Sequence, residues 1–136
     1  MTLAAFAVSC STTPKADRQV DAAGRPAGTA APAAPAEKVR DAFAGLQATL
    51  MESCTPGDCA DFLGRVYDEL HGMDQAMKAD PKGPGHFAKP IKLVKQLDAE
   101  IGGDSSSAVL EKHQASLIST RDQINTWMQG HPDDYR

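Results

Sequence analysis

The sequence predicts a sharp chain reversal at Cys54-Thr55-Pro56-Gly57-Asp58-Cys59, and the rest of the fold is arranged around this stretch. Apolar residues recur at helical spacing on both sides of it. Thr55 is a favourable N-cap, Pro56 suits the first position of a helix, and Asp58 lies where it can complete a capping box. The pattern therefore predicts a corner between two antiparallel helices, with one cysteine on each side.

The two cysteines of this corner are spaced as C-x4-C. The pattern places Cys54 in the last turn of the first helix and Cys59 in the first turn of the second, where their Cα atoms can approach to about 4.4–6.8 Å, as a disulfide requires. An exported protein uses such a pair as a disulfide, whereas a cytosolic protein needs a metal or redox reason for it. The spacing differs from the C-x-x-C of thioredoxin-like proteins, and no nearby Cys or His completes a zinc-finger pattern. We therefore predict a structural Cys54–Cys59 disulfide, with a metal site or a redox pair as the alternatives.

Two amphipathic helices flank the corner. The first is expected to run from about residue 37 to Ser53, and the second from the capping residues to Ala79, ahead of a Pro- and Gly-rich loop. Their apolar positions are Val39, Phe43, Leu46 and Leu50 in the first helix, and Cys59, Phe62, Val66, Leu70, Met73 and Met77 in the second.

Two further helices follow the loop. The third is expected to begin between residues 86 and 90, because proline is tolerated only in a first turn, and to stop at Gly102-Gly103. The fourth is expected as one continuous helix that is capped within residues 104–107 and ends at Gly130. No segment has the periodicity of a strand. The prediction is an all-α fold, a small antiparallel four-helix bundle over residues 37–136.

The N-terminal part of the chain differs in composition from the helical part. Residues 11–36 are rich in Ala, Pro, Gly, Ser and Thr, and they bury too little apolar surface to offset the entropy of ordering them. We therefore expect this stretch to be a disordered tether. The net charge of -4 is unevenly distributed along the chain. Residues 1–36 contain three basic and two acidic residues, whereas residues 37–136 contain 11 Lys/Arg and 16 Asp/Glu.

The first ten residues end in Ala7-Val8-Ser9-Cys10, an apolar and small triplet directly before a cysteine, in a run too short to span a bilayer. This run resembles the end of a bacterial lipoprotein signal, in which the cysteine after the lipobox is lipidated and becomes the new N-terminus. The resemblance implies that residues 1–10 are a signal-peptide remnant and that Cys10 carries the lipid. It also implies an exported cell-envelope protein held at the extracytoplasmic face of the cell membrane. The missing basic start is consistent with an initiation site upstream of Met1.

Composition and motifs narrow the function classes. A mildly acidic domain with one Trp lacks the basic stripe and the stacking residues of a nucleic-acid binder, so nucleic acid is not an expected partner. Catalytic motifs such as G-x-S-x-G and H-E-x-x-H are absent from the sequence, and we expect neither enzyme activity nor a cofactor. The expected function is a non-catalytic binding module whose partner is an envelope protein or polymer.

The alternative is a haem- or metal-binding bundle. An exported four-helix bundle with Met and His on facing helices resembles the haem-binding cytochromes built on that fold. The resemblance implies His113 with Met51, Met73 or Met77 as candidate ligands. Against this alternative, the sequence has no C-x-x-C-H attachment motif, and methionine in an apolar stripe is more often core filling.

Basic residues concentrate before and within the third predicted helix, at Lys82, Lys89, Lys92 and Lys95, while the second helix is acidic. The simpler interpretation is that two solvated faces complement each other between neighbouring helices. The functional interpretation is a basic patch that faces anionic lipid or an envelope polymer.

Overall fold

The computed structural model describes residues 37–55 and 57–136. The predicted signal remnant, the tether, Cys10 and Pro56 lie outside these ranges. The described part is all-helical and contains no strand. The all-α fold class predicted from the sequence is therefore confirmed.

Five α-helices and two short 3-10 turns make up the described part of the chain. In chain order they are α1 (Val39–Ala48) with a 3-10 turn at Thr49–Met51, α2 (Cys59–Ala79), α3 (Ala88–Ile101), α4 (Ser107–Lys112), and α5 (Gln114–Gln129) followed by a 3-10 turn at Pro132–Asp134. Each α-helix contributes buried apolar side chains to one common core.

Helix α2 lies at the centre of the fold. It is the longest helix, with 21 residues, and it contacts each of the other four α-helices. Its fully buried side chains include Phe62, Leu70, Met73 and Met77, all of which the sequence pattern predicts as core positions. Because apolar burial is the dominant favourable term in folding, the other helices are held by the apolar stripes that they pack against α2 and against one another, as α3 does on α5.

Helix α3 begins and ends within the predicted limits. It starts at Ala88, so that Pro90 falls in the first turn, where its missing N–H interrupts no helical hydrogen bond. Gly102 closes the helix in the left-handed conformation, with φ of 75°, and donates its N–H to the Asp98 carbonyl at 2.9 Å. Glycine adopts this conformation without the steric cost of a Cβ atom.

The first helix ends earlier than predicted. Its α-helical part stops at Ala48, and the following 3-10 turn buries Thr49 and leaves Leu50 only half-buried. The Thr49 hydroxyl donates to the Leu46 carbonyl at 2.7 Å, and the Arg121 guanidinium donates to the Thr49 carbonyl at 2.9 Å. A side chain from α5 thus satisfies a carbonyl group at the end of this helix, and the chain leaves in an extended conformation at Glu52.

The second helix begins later than the capping pattern predicts. Its N-cap is Asp58, whose side chain makes no capping hydrogen bond, so the predicted N-cap at Thr55 is wrong. Gly57 has φ of 96°, a conformation outside the right-handed helix, and the Asp58 N–H bonds the Thr55 carbonyl in a turn. Helical geometry therefore cannot begin before Gly57.

The fourth predicted helix is divided in two. His113 lies between α4 and α5 with φ of -103° and ψ of 21°, which is outside the usual helical range. The two segments have different neighbours, since α4 contacts α2 and α5, whereas α5 also runs along α3 and α1. The bend at His113 separates a short segment that packs on α2 from a longer segment that packs on α1 and α3 as well as on α2.

Candidate binding site

The structure brings together the cysteines of the predicted disulfide. The Cα atoms of Cys54 and Cys59 are 4.4 Å apart, and their sulfur atoms are at bonding distance. Cys59 is the first residue of α2, as expected, but Cys54 lies in the connection after the 3-10 turn and not in the last turn of the first helix. Cys59 Sγ lies 3.9 Å from Oε1 of Gln114, the first residue of α5. The cysteine pair therefore stands where the connection from α1, the start of α2 and the start of α5 meet.

The residues of the haem or metal alternative lie in different environments. Met73 and Met77 are enclosed in the core, whereas Met51 is 90% exposed. His113 is half-buried at the junction of α4 and α5. No group of three His, Cys, Asp or Glu side chains suited to a metal ion occurs in the ranges that the structure describes. The haem or metal alternative stays a prediction.

An acidic residue near the C-terminus joins two basic residues of the loop between α2 and α3. The Asp134 side chain is 3% exposed; it accepts from Nε2 of His86 at 2.9 Å and 3.0 Å, and it also binds Lys82. Burial by itself raises the pKa of Asp134, but the hydrogen bonds and positive charges of Lys82 and His86 outweigh it, so this pKa lies below its usual value. The contact fixes the C-terminal turn to the α2–α3 loop.

An open groove of about 1070 Å³ runs along the outer face of α5. Its lining residues come from α3, α4, α5 and the chain after α5, and they are Lys89, Glu111, Lys112, Gln114, Ala115, Ile118, Ser119, Asp122, Gln123, Thr126, Trp127, Gly130 and His131. We call this surface the α5 groove. At about 1.5 Å per residue, the 16 residues of α5 give it a length of about 24 Å.

Trp127 is the largest side chain that lines the α5 groove. Its indole is half-buried, lies 6.0 Å from the ring of the core residue Phe87 and stacks on His131, with ring centroids 3.8 Å apart and an interplanar angle of 16°. His131 is held in this position because its Nδ1 bonds the Trp127 carbonyl oxygen at 2.7 Å. The aromatic wall of the groove is thus ordered by contacts within the domain.

The remaining lining of the α5 groove combines apolar and charged groups of both signs. Ala115 and Ile118 supply aliphatic surface, Lys89 and Lys112 are cationic, and Glu111 and Asp122 are anionic. Asp122 is oriented by the neighbouring buried arginine, because Arg121 Nε donates to Asp122 Oδ1 at 2.8 Å. The surface can hold a ligand that offers apolar contacts together with both donors and acceptors.

Comparison with protein-family models, with curated proteins and with solved structures finds no match for this chain. None of the helices in the described ranges combines the length and the apolar character needed to cross a bilayer.

The sequence pattern missed Arg121, Asp134 and the α5 groove. The sequence does contain a signal for Arg121. In the fourth predicted helix the apolar positions Leu117 and Ile124 are seven residues apart, and the turn between them places the polar residues Thr120 and Arg121 on the core side. Asp134 gives no such signal, because its partners are about 50 residues away along the chain.

Proposed function

We propose that this protein is a lipid-anchored envelope protein that acts at the extracytoplasmic face of the membrane as a non-catalytic interaction module. In this proposal Cys10 carries the lipid, residues 11–36 form the tether, and residues 37–136 form the binding domain. The α5 groove is the binding surface, and its ligand is a segment of a partner protein.

We further propose that the domain is an antiparallel four-helix bundle in which α4 and α5 together form the fourth, bent member. Three contacts support this arrangement, because α1 packs on α2, α2 on α3, and α3 on α5. The contact of α5 with α1 completes the ring of neighbouring helices that such a bundle requires. Short connections between successive helices favour antiparallel neighbours, and the α2–α3 connection spans only residues 80–87.

The observation that carries the binding proposal is the half-buried Trp127 in an open groove that holds charges of both signs. Tryptophan is strongly enriched among the residues that dominate protein–protein binding energies. A polypeptide presents donors, acceptors and apolar side chains together, which matches the mixed lining of the groove. A purely anionic or cationic polymer would instead meet repulsion from Glu111 and Asp122 or from Lys89 and Lys112.

Site-specific photocrosslinking in the producing cell tests this proposal. A photoreactive amino acid replaces Gln123 in the α5 groove, and the matched control carries it in place of Gln75, an exposed glutamine of α2 that lies outside the groove. We expect one adduct of defined mass from position 123 and none from position 75. The adduct should disappear when Ser119→Arg fills the groove from an exposed position.

A Trp127→Ala variant should also lose the adduct, provided that its circular dichroism and thermal melt show a folded domain. Equal adducts from both positions, no adduct from either, or an adduct that survives Ser119→Arg would refute binding of a protein segment in the groove.

The membrane attachment has a separate test. The intact mass of the protein from its native membrane fraction is measured with and without reductant. A diacylglyceryl group on a chain that starts at Cys10, with a gain of two hydrogen atoms on reduction, would support the lipid anchor and the Cys54–Cys59 disulfide. An unmodified chain that starts at Met1 and contains free thiols would contradict both.

A further inference from the structure

The outward face of α3 has a chemistry different from that of the α5 groove. Ala88, Lys92, Lys95 and Ala99 lie at steps of three or four residues, and Ile91 lies four residues before Lys95, so all five share one side of the helix. They line a shallow recess of about 610 Å³. The opposite side of α3 is fixed in the core, so this recess faces away from the packed interior. We call it the α3 face.

The α3 face and its margin are cationic. Lys89, Lys92 and Lys95 are exposed, and none of them forms an ion pair with any residue that the structure describes. By contrast, Arg65 and Lys78 bind carboxylates of the domain. The first ten residues of α3 contain no Asp or Glu at all. This local positive charge occurs in a domain that has 11 Lys/Arg against 16 Asp/Glu.

The combination of lysine with a low apolar surface matches an anionic bilayer. Ile91 is half-buried, and together with the small side chains Ala88 and Ala99 it leaves a shallow, largely apolar surface between the lysine stems. A helix with apolar residues and lysines on its exposed side can lie in the plane of a membrane interface, with the charged ends of the lysines at the lipid headgroups. The recess is open to solvent along one side of the helix, so the expected contact is with the bilayer surface.

We propose that the α3 face docks the domain onto the anionic surface of a phospholipid bilayer. Each lysine near such a surface increases the partition coefficient about fivefold. Three lysines give weak and reversible binding, which orients a domain near a membrane but would not by itself hold it there. Among the acidic residues, Asp98 and Glu100 lie on α3 itself, and those more than about 8 Å from the bilayer surface are largely screened at physiological salt.

A vesicle-binding experiment tests the docking independently of the lipid anchor. The full 136-residue chain with Cys10→Ser carries no lipid. It is sedimented with vesicles of phosphatidylcholine alone and with vesicles of phosphatidylcholine and phosphatidylglycerol in a seven-to-three ratio. We expect binding only to the anionic vesicles, and we expect it to weaken as salt is added.

Two charge-matched variants locate the binding surface. Lys92→Gln combined with Lys95→Gln should lower the partition coefficient about 25-fold, by the same fivefold factor for each lysine. Lys38→Gln combined with Arg136→Gln removes the same charge from exposed positions outside both proposed binding surfaces, and it should retain most of the binding. All four side chains are exposed, so both variants are expected to fold, and thermal melts verify this. The N-terminal residues are identical in both variants, so their basic residues cannot account for a difference.

Three results would overturn the docking proposal. The first is equal binding to neutral and anionic vesicles, and the second is an equal loss in the two double variants. The third is binding to soluble dextran sulfate at the same charge concentration with the same dependence on Lys92 and Lys95, which would make the α3 face a site for anionic polymers. A failure of this test would not contradict the proposal that the α5 groove binds a partner protein, because the crosslinking experiment tests that proposal with substitutions at other residues.

Discussion

Replacement of Arg121 by methionine should destabilise the domain more than any replacement of an exposed arginine. Arg121 is 7% exposed, and its Nη1 donates to the carbonyl oxygen of Thr49, which is itself 2% exposed, at 2.9 Å. Methionine keeps most of the aliphatic stem but removes the donor. The end of the first helix then loses a charged hydrogen bond in a buried position, and the Thr49 carbonyl retains only the 3.3 Å bond from the Glu52 N–H.

The expected loss follows from this one contact. A hydrogen bond to a charged group contributes about 1.5–3 kcal/mol. The second partner, Asp122, is 52% exposed on its side chain, so that ion pair adds little. We expect Arg121→Met to lower the free energy of unfolding by about 2 kcal/mol, which corresponds to a fall in melting temperature of about 8–16 °C for a domain of this size.

Urea unfolding followed by circular dichroism measures this change. With a slope near 2 kcal/mol per molar urea, the midpoint should fall by about 1 M. The matched control is Arg65→Met, which removes an exposed guanidinium that binds Glu52 in the same connection after α1, and which should leave the midpoint nearly unchanged. Equal midpoints for the two variants would refute the view that the buried Arg121 contact stabilises the domain more than the exposed Arg65 ion pair does.

Two further predictions concern the C-terminal turn and the end of α3. Because the folded-state pKa of Asp134 lies below its unfolded value, its contacts stabilise the fold above a pH of about 3.9, and this stabilisation is lost as the pH falls through the folded pKa. Asp134→Asn should therefore lower the free energy of unfolding by about 1 kcal/mol at neutral pH, and it should make this free energy depend less on pH on the acid side. Asp133→Asn, at an exposed neighbouring position, should have neither effect. Parallel curves of unfolding free energy against pH for the two variants would contradict this prediction. Gly102→Ala should destabilise the domain by about 1 kcal/mol, because the backbone φ at position 102 is 75°. Gly72→Ala should stabilise it by up to about 1 kcal/mol, because position 72 lies in the middle of α2 and the new Cβ would have open space around it. If thermal melts show melting temperatures that shift in the same direction for both variants, the backbone explanation is wrong.

Local patterns were sufficient to predict the helical segments, but they predicted neither all of the helix ends nor the break at His113. The stripe of α2 and the stop of α3 depend on residues close together in sequence, such as Met73 with Met77, or on a single glycine at position 102. At the end of the first helix, by contrast, the Thr49 carbonyl binds Arg121, which lies 72 residues further along the chain. The start of α2 depends on the conformation of Gly57, and competing turn and capping patterns at the same stretch could not be ranked from the sequence.

The candidate sites differ in predictability for the same reason. The approach of Cys54 and Cys59 was predictable because a tight corner forces residues five apart to meet. The α5 groove was not, because Lys89 and Trp127 belong to different helices and their meeting depends on how α3 packs on α5. Likewise, the lysines of α3 can be read from the sequence, but only the tertiary structure shows that they form no ion pair with the described residues.

The central position of α2 explains how a small domain can offer two surfaces of different chemistry. Because α2 contacts all four other α-helices, the core requires only one side of α3 and one side of α5. The remaining side of α3 carries lysines with small apolar residues, and the remaining side of α5 carries Trp127 with charges of both signs. Lys89 is the one residue that belongs to both surfaces, at the margin of the α3 face and in the lining of the α5 groove, so a domain docked on a membrane through the α3 face would have the other lining residues of the groove available for a partner protein.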